Sequence, residues 1–176
     1  MGIFSARKRR KQSADALHAW TAREESLKNW VQSIAEYRTQ GIHVAVPQVD
    51  TGVVLAHGEY AIANISGSAL LENRQVVDEG GCTVITTERV VYVGRFRHCE
   101  WQLTDVAALD HDPLGFTTIL TRDQTANMAF GYGVKDAHEV QMRLRFALAI
   151  NGDTVADFER DVQLEYQRHL AARPVT

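Results

Sequence analysis

The feature that most constrains this chain is a change of hydrophobic period at Val53 and a change back near Gly133. Between them, apolar residues arrive in short β-rich runs at 60–65, 68–75, 82–86, 90–93, 100–106, 117–120 and 126–130. Gly80-Gly81, Thr87-Glu88-Arg89, Gly94, Asp112-Pro113 and Arg122-Asp123-Gln124 punctuate them with turn-forming residues. Short strands with tight reversals predict an antiparallel sheet of about seven strands, closed as a barrel or sandwich. Such a sheet must hide one face and limit its edges. The run 90–93 has no alternation, which predicts cover on both of its faces.

Helical spacing governs both flanks. Trp20, Leu27, Trp30, Val31, Ile34 and Tyr37 fall on one face of a helix expected over 13–41, with Ser13 as its cap and Gly41 as its stop. Residues 1–12 precede it as a flexible basic leader. Residues 42–52, with Pro47 and Gly52, read as an extended linker. A second helix over 136–150, capped by Asp136, is apolar around most of its axis. It must therefore be covered on two sides, by the sheet and by a further helix or another subunit. Asn151-Gly152 breaks it, and an amphipathic helix over 154–172 follows, with Val155, Phe158, Val162, Tyr166 and His169 in a near-heptad stripe. The first and last helices each have an apolar face, to be paired with each other or across a homodimer.

With 45% apolar and 23% charged residues among 176, the chain can bury a core without metal or disulfide. Cys82 and Cys99 have neither CxxC nor zinc-ligand spacing and read as free thiols packed in strands. No apolar stretch approaches the ~18–20 residues of a membrane span. The basic run of Arg7, Lys8, Arg9, Arg10 and Lys11 lacks the apolar stretch of a secretory signal, and Ala6 stands where a myristoylation motif wants Ser or Thr. A cytoplasmic location, with attachment at the inner membrane face, is the expectation.

Charge is uneven. The formal net charge is -3, of which residues 7–11 contribute +5, so the remainder carries -8. A body that acidic disfavours nucleic acid as a partner and leaves the leader as the strongly basic feature.

Catalytic constellations are thin. Asp110-His111-Asp112 precedes Pro113 in an expected solvated turn, where adjacent side chains diverge. His98 and Cys99 are strand neighbours and face opposite sides. His18, His57, His138 and His169 stand singly and read as surface residues. Neither a Gly-rich phosphate loop nor a Gly-x-Ser-x-Gly elbow nor His-Glu-x-x-His occurs. The expectation is a non-enzymatic binding module without catalytic residues, metal, cofactor or small-molecule substrate. Its candidate lipid- or partner-binding residues are Ile3 and Phe4, which would insert at an interface, with Arg7, Lys8, Arg9, Arg10 and Lys11 on the headgroups. Five such cations are worth at most roughly 5 kcal/mol on an anionic membrane surface. Arg95, Phe96 and Arg97, in the loop after Gly94, form a second candidate patch. The competing expectation is a regulatory protein that binds a protein partner or forms a homodimer through its terminal helices, with no lipid role.

The stretch Cys82-Thr83-Val84-Ile85-Thr86-Thr87-Glu88-Arg89-Val90-Val91-Tyr92-Val93-Gly94 resembles the strand–turn–strand core of bacterial PH-like and GRAM-like domains. There a hydrophobic strand ends in a Thr-x-x-Arg turn, and an aliphatic strand with an aromatic and a terminal Gly follows. Gly58-Glu59 before the first strand, Trp101-Gln102-Leu103-Thr104-Asp105-Val106 and the closing helix fit the same pattern across 53–150. The resemblance implies an α+β, PH-like fold: two near-orthogonal antiparallel sheets with a helix plugging one open corner. It implies a binding module and supplies no catalytic residue. In the turn, Thr86 and Thr87 would bond nearby backbone, and Arg89 would emerge as the next strand begins. More narrowly, the Met-Gly-aromatic-basic start, the Trp-bearing first helix and Cys99-Glu100-Trp101 resemble actinobacterial and phage-borne proteins. Animal PH domains bind phosphoinositides through basic residues on early strands and their connecting loop. The matching segment here, Ser66-Gly67-Ser68, has none, so the resemblance does not carry that ligand.

Overall fold

Residues 3–42, 52–123 and 128–173 are described by a computed structural model. The segment 43–51, which holds most of the expected linker, and residues 124–127 of the loop before the last strand lie outside the described residues.

Helix α1 (Ile3–Gln40) starts well ahead of Ser13. The intervening Ala, Arg, Lys and Gln are strong helix formers and no Gly or Pro interrupts them, so the helix continues through the expected cap. It stops at Gly41, where φ is +84° and the N–H bonds to Tyr37 O at 2.8 Å.

Seven strands follow: β1 (Ala61–Glu72), β2 (Gln75–Thr86), β3 (Arg89–Val93), β4 (His98–Gln102), β5 (Val106–Asp112), β6 (Phe116–Thr121) and β7 (Met128–Gly131). They form one antiparallel sheet in the order β4-β3-β2-β1-β7-β6-β5. β1 pairs with β2 over its length but with β7 only from Ala69 to Glu72, so it is shared by two four-stranded portions, β4-β3-β2-β1 and β1-β7-β6-β5. Seven strands are what the turn spacing predicted, but β1, β4 and β5 are composed differently.

The run 60–65 and the run 68–75 as far as Glu72 are one strand, bent at Ser66-Gly67-Ser68. Gly67 has φ +72°, and Ser68 Oγ donates to Ile65 O at 2.9 Å. The reversal lies instead at Asn73-Arg74, whose φ values of 49° and 65° are those of a type I′ hairpin turn. Gly80-Gly81 is no turn but an irregularity within β2. The run 100–106 is split by a 3-10 turn, Leu103–Asp105. Asp110-His111-Asp112, expected as a solvated turn, completes β5, because the chain reverses one step later at Pro113-Leu114-Gly115, where Gly115 has φ +87°. Val90, Val91 and Tyr92 are fully buried as expected, and only Val93 of that run is exposed.

Helix α2 (Ala137–Asn151) lies across β1, β2 and the 3-10 turn. Asp136 occupies its cap position without a side-chain cap bond, because a 3-10 turn, Val134–Asp136, already leads into the helix. Helix α3 (Val155–Ala171) runs antiparallel to α1. Arg38 meets Glu159 at one end, Arg23 meets Glu165 further along, and the Trp20 and His169 rings stack at 4.6 Å near the other end. Trp30 of α1 meets Phe146 of α2 and Phe158 of α3 edge-on, at 5.7 and 6.2 Å. The first and last helices thus cover each other within one chain, and α2 finds its second cover there. Two histidines expected at the surface are drawn into this junction. His169 stacks on Trp20, and His138 is half-buried with Nε2 enclosed, where burial and then Arg23 push its pKa down. The fold class is α+β: a seven-stranded antiparallel sheet with flanking helices.

Candidate functional site

The turn that carries the sequence resemblance is a structural lock. Thr86 Oγ1 accepts the N–H groups of Glu88 and Arg89 at 3.1 and 2.9 Å and lies 2.7 Å from Glu59 Oε1. Thr87 Oγ1 accepts the Tyr60 N–H at 3.1 Å. Arg89 donates from Nε and Nη2 to the two oxygens of Glu59, at 2.8 and 3.1 Å, and from Nη1 to Glu100 Oε2 at 2.9 Å. Its Nη2 also reaches Val54 O at 2.9 Å. The Glu59 side chain is wholly buried. Burial alone would raise its carboxyl pKa. The bonds from Arg89, the Ala56 N–H and Thr86 outweigh that and hold it below the ordinary glutamate value. The pair ties the segment before β1 to the β2–β3 turn and to β4. A carboxylate so fully bonded has no capacity left for a substrate.

A second buried acid shapes the one surface loop that sequence reading singled out. Asp78 Oδ2 accepts the N–H groups of Phe96 and Arg97 at 3.0 and 2.9 Å, and these bonds hold its pKa down. Gly94 must be glycine here, since a Cβ would lie 2.1 Å from Asp78 Oδ2. The clamp presents Arg95, Phe96 and Arg97 outward. Phe96 is 73% exposed with the Arg95 guanidinium 5.0 Å from its ring centroid. Asp78 lies just beyond the β1–β2 turn, and Cys99 Sγ touches Met128 Sδ at 3.9 Å beside Glu72. These links bring Arg74 of that turn to the same end of the sheet as the loop. Arg74, Arg95 and Arg97 form no ion pair among the described residues, whereas Arg23, Arg38, Arg89, Arg143, Arg145 and Arg160 all do. Sequence reading missed Arg74 because it placed the first turn at 66–68; the Asn before it was the available signal.

The leader residues are carried elsewhere. Ile3, Phe4, Arg7, Lys8, Arg9, Arg10 and Lys11 all fall on α1, and their side chains lie outside the described residues. Helix α3 ends at Ala171, beside Trp20, so α1 continues past it for about seventeen residues, or ~25 Å. At 100° per residue, five consecutive positions are distributed around the whole helix axis.

The remaining candidates are occupied structurally. His111 Nδ1, Thr117 Oγ1 and Tyr132 Oη form a chain with 2.8 Å links, and burial pushes the His111 pKa down. Both cysteines are free and half-buried, and burial pushes both thiols up. Among the described residues there is no group of three or more His, Cys, Asp or Glu side chains that could hold a metal, and no helix long and apolar enough to cross a membrane.

No protein-family model matches the chain, and no curated protein matches it. Among solved structures, the N-terminal PH domain of Vps36 is similar at 16% identity, covering 59% of this chain and 93% of that one, with a TM-score of 0.44. The C-terminal domain of an unknown protein from Leishmania infantum is similar at 11% identity, covering 52% and 84%, with a TM-score of 0.42. A chain of the 8S snRNP assembly intermediate is similar at 10% identity, covering 56% and 88%, with a TM-score of 0.41. At these scores the architecture stands on the chain's own strand order and helix placement.

Proposed function

We propose that this chain is a non-enzymatic binding module that docks on an anionic membrane surface through the basic stretch of α1. One observation carries the reading: the five cations at 7–11 sit on a helix that runs past the end of α3, away from the acidic body. They lie 9 to 13 residues before Trp20, which places them ~14–20 Å along the axis. That exceeds the ~8 Å Debye length of physiological salt, so the negative body does not cancel the arm. Because five consecutive helical positions are spread around the axis, the arm needs no particular rotation to engage a charged plane. Ile3 and Phe4 at its tip add an apolar contribution, and the Arg95-Phe96-Arg97 loop is a second contact. The location that follows is cytoplasmic, at the inner face of the membrane.

The experiment is sedimentation of the full chain with vesicles containing phosphatidylserine, against pure phosphatidylcholine, at about 50 and 300 mM salt. Binding should require the anionic lipid, weaken strongly with salt, and fall by two or more orders of magnitude when all five cations of 7–11 become Gln. Equal pelleting of that variant would remove the arm from the mechanism.

A further inference from the structure

One histidine enters the helical junction at a place where its charge has no free partner. His138 stands in the first turn of α2, half-buried, with Nε2 enclosed and bonded to nothing among the described residues. Two guanidiniums bear on its charge, Arg23 from α1 and Arg145 from its own helix. Two carboxylates do so as well, Glu165 from α3 and the adjacent Glu139. Both carboxylates are already engaged on both oxygens. Glu165 holds Arg23 at Oε1, 2.6 Å away, and Arg145 at Oε2, 3.6 Å away. Glu139 accepts Arg143 Nε at Oε1, at 2.8 Å, and the Trp30 indole N–H at Oε2, at 3.1 Å.

A neutral imidazole is the form this arrangement accepts. A proton on His138 adds a third cation to Arg23 and Arg145, with no uncommitted carboxylate to receive it. The imidazolium either stays unpaired or takes Glu165 from Arg23, and that pair is a direct tie between α1 and α3. The ring contacts on either side of the tie are the ones that seat α1. Trp20 stacks on His169, and Trp30 meets Phe146 and Phe158 edge-on. The sheet is held by other ties, among them the Glu59–Arg89 pair.

We propose that this junction is an acid-sensitive seat for α1: protonation of His138 loosens the hold of α2 and α3 on the helix while the sheet stays folded. The direction follows from the surroundings. Burial, and then Arg23, hold the folded His138 pKa below its ordinary 6.5. As pH falls, the opened junction therefore binds the proton before the closed one does. The seating is complete above 6.5, weakens as pH falls through that value, and loses nothing further once pH is below the folded value. At pH 5 the Glu59 carboxylate, held below its ordinary 4.5, is still ionised, so the turn lock is intact.

The test is amide hydrogen exchange by mass spectrometry on the full chain at pH 7 and pH 5, each rate divided by the intrinsic rate of an unstructured peptide at that pH. Peptides from 20–37 should lose protection by at least about threefold at pH 5, and those from β2 and β3 should not change. His138→Gln keeps a polar side chain that cannot take the proton, and it should remove the pH 5 effect. Carbon-13 NMR of the histidine rings in the parent chain gives a second reading that needs no variant. The His138 ring should titrate below 6.5, and the protection of 20–37 should stop falling once pH is below that midpoint. Unchanged protection of 20–37 at pH 5, or a loss that persists in the His138→Gln chain, would overturn the proposal. So would a His138 midpoint at or above 6.5, or an equal loss of protection in β2 and β3.

Discussion

Replacing Arg89 by Met tests whether the Thr-x-x-Arg turn is a lock. The substitution keeps the aliphatic volume and removes both guanidinium bonds to Glu59, leaving that wholly buried carboxylate with the Ala56 N–H and the Thr86 hydroxyl. Two charge-assisted bonds at about 1.5–3 kcal/mol each give a loss of about 3–6 kcal/mol at pH 7, close to the ~3–5 kcal/mol of other broken buried pairs. The contacts of Arg89 with Glu100 and Val54 are partly exposed and add little. In urea the midpoint should fall by about 2 M. The pH dependence should reverse as well. In the native chain the Glu59 pKa is depressed, so its contribution is complete above the unfolded value near 4.5 and disappears as pH falls through the folded value. In the variant, burial is no longer outweighed and the folded pKa rises above the unfolded one. Its penalty is then absent below that unfolded value and grows as pH rises towards 7. Urea unfolding at pH 5 and pH 7 should therefore show a smaller difference between variant and parent at pH 5. Adding Glu59→Gln should restore part of the loss at pH 7. A difference under about 1 kcal/mol, or one larger at pH 5, would refute the reasoning.

Phe158→Ala removes the ring that Trp30 and Phe146 both pack against, and thermal unfolding should report a loss of about 3–5 kcal/mol. Gly94→Ala forces a Cβ against Asp78. It should cost about 1–3 kcal/mol and raise hydrogen exchange at 95–97, with the rest of the sheet unchanged. Changing Arg95 and Arg97 to Gln and Phe96 to Ser should lower binding to phosphatidylserine vesicles several-fold without shifting the melting temperature, because none of the three side chains has a buried partner.

The fold class was legible because it rests on period. Trp30, Ile34 and the α2 residues repeat at helical spacing, and β-rich runs separated by turn residues leave few alternatives to an antiparallel sheet. The register of the first hairpin was not legible. Ser-Gly-Ser and Gly-Gly look like stronger turn signals than Asn-Arg, yet the sheet uses those glycines to bend β1 and to seat Tyr92 against Gly81. Local preference lost to the need for one strand to serve two portions of the sheet. That slip hid Arg74. Glu59 was visible as a residue but not as the partner of Arg89, thirty positions away, because pairing at that separation is created only by the folded sheet. Asp78 was invisible for the same reason. Its role exists only once the β3–β4 loop folds over it.

The embrace of Trp20 by His169 has a consequence for synthesis. The Trp20 indole N–H reaches the His169 carbonyl and the His169 ring approaches the Trp20 carbonyl, across a separation of 149 positions. A ribosome makes α1 well before the helix that shelters it. Leu27, Trp30 and Ile34 must wait, unburied, until α3 has been made, and contacts so distant along the chain are slow to close. A nascent chain of this design carries a greasy stripe until α3 emerges. Transient helpers that shield such stripes should matter more to its yield than to its finished stability.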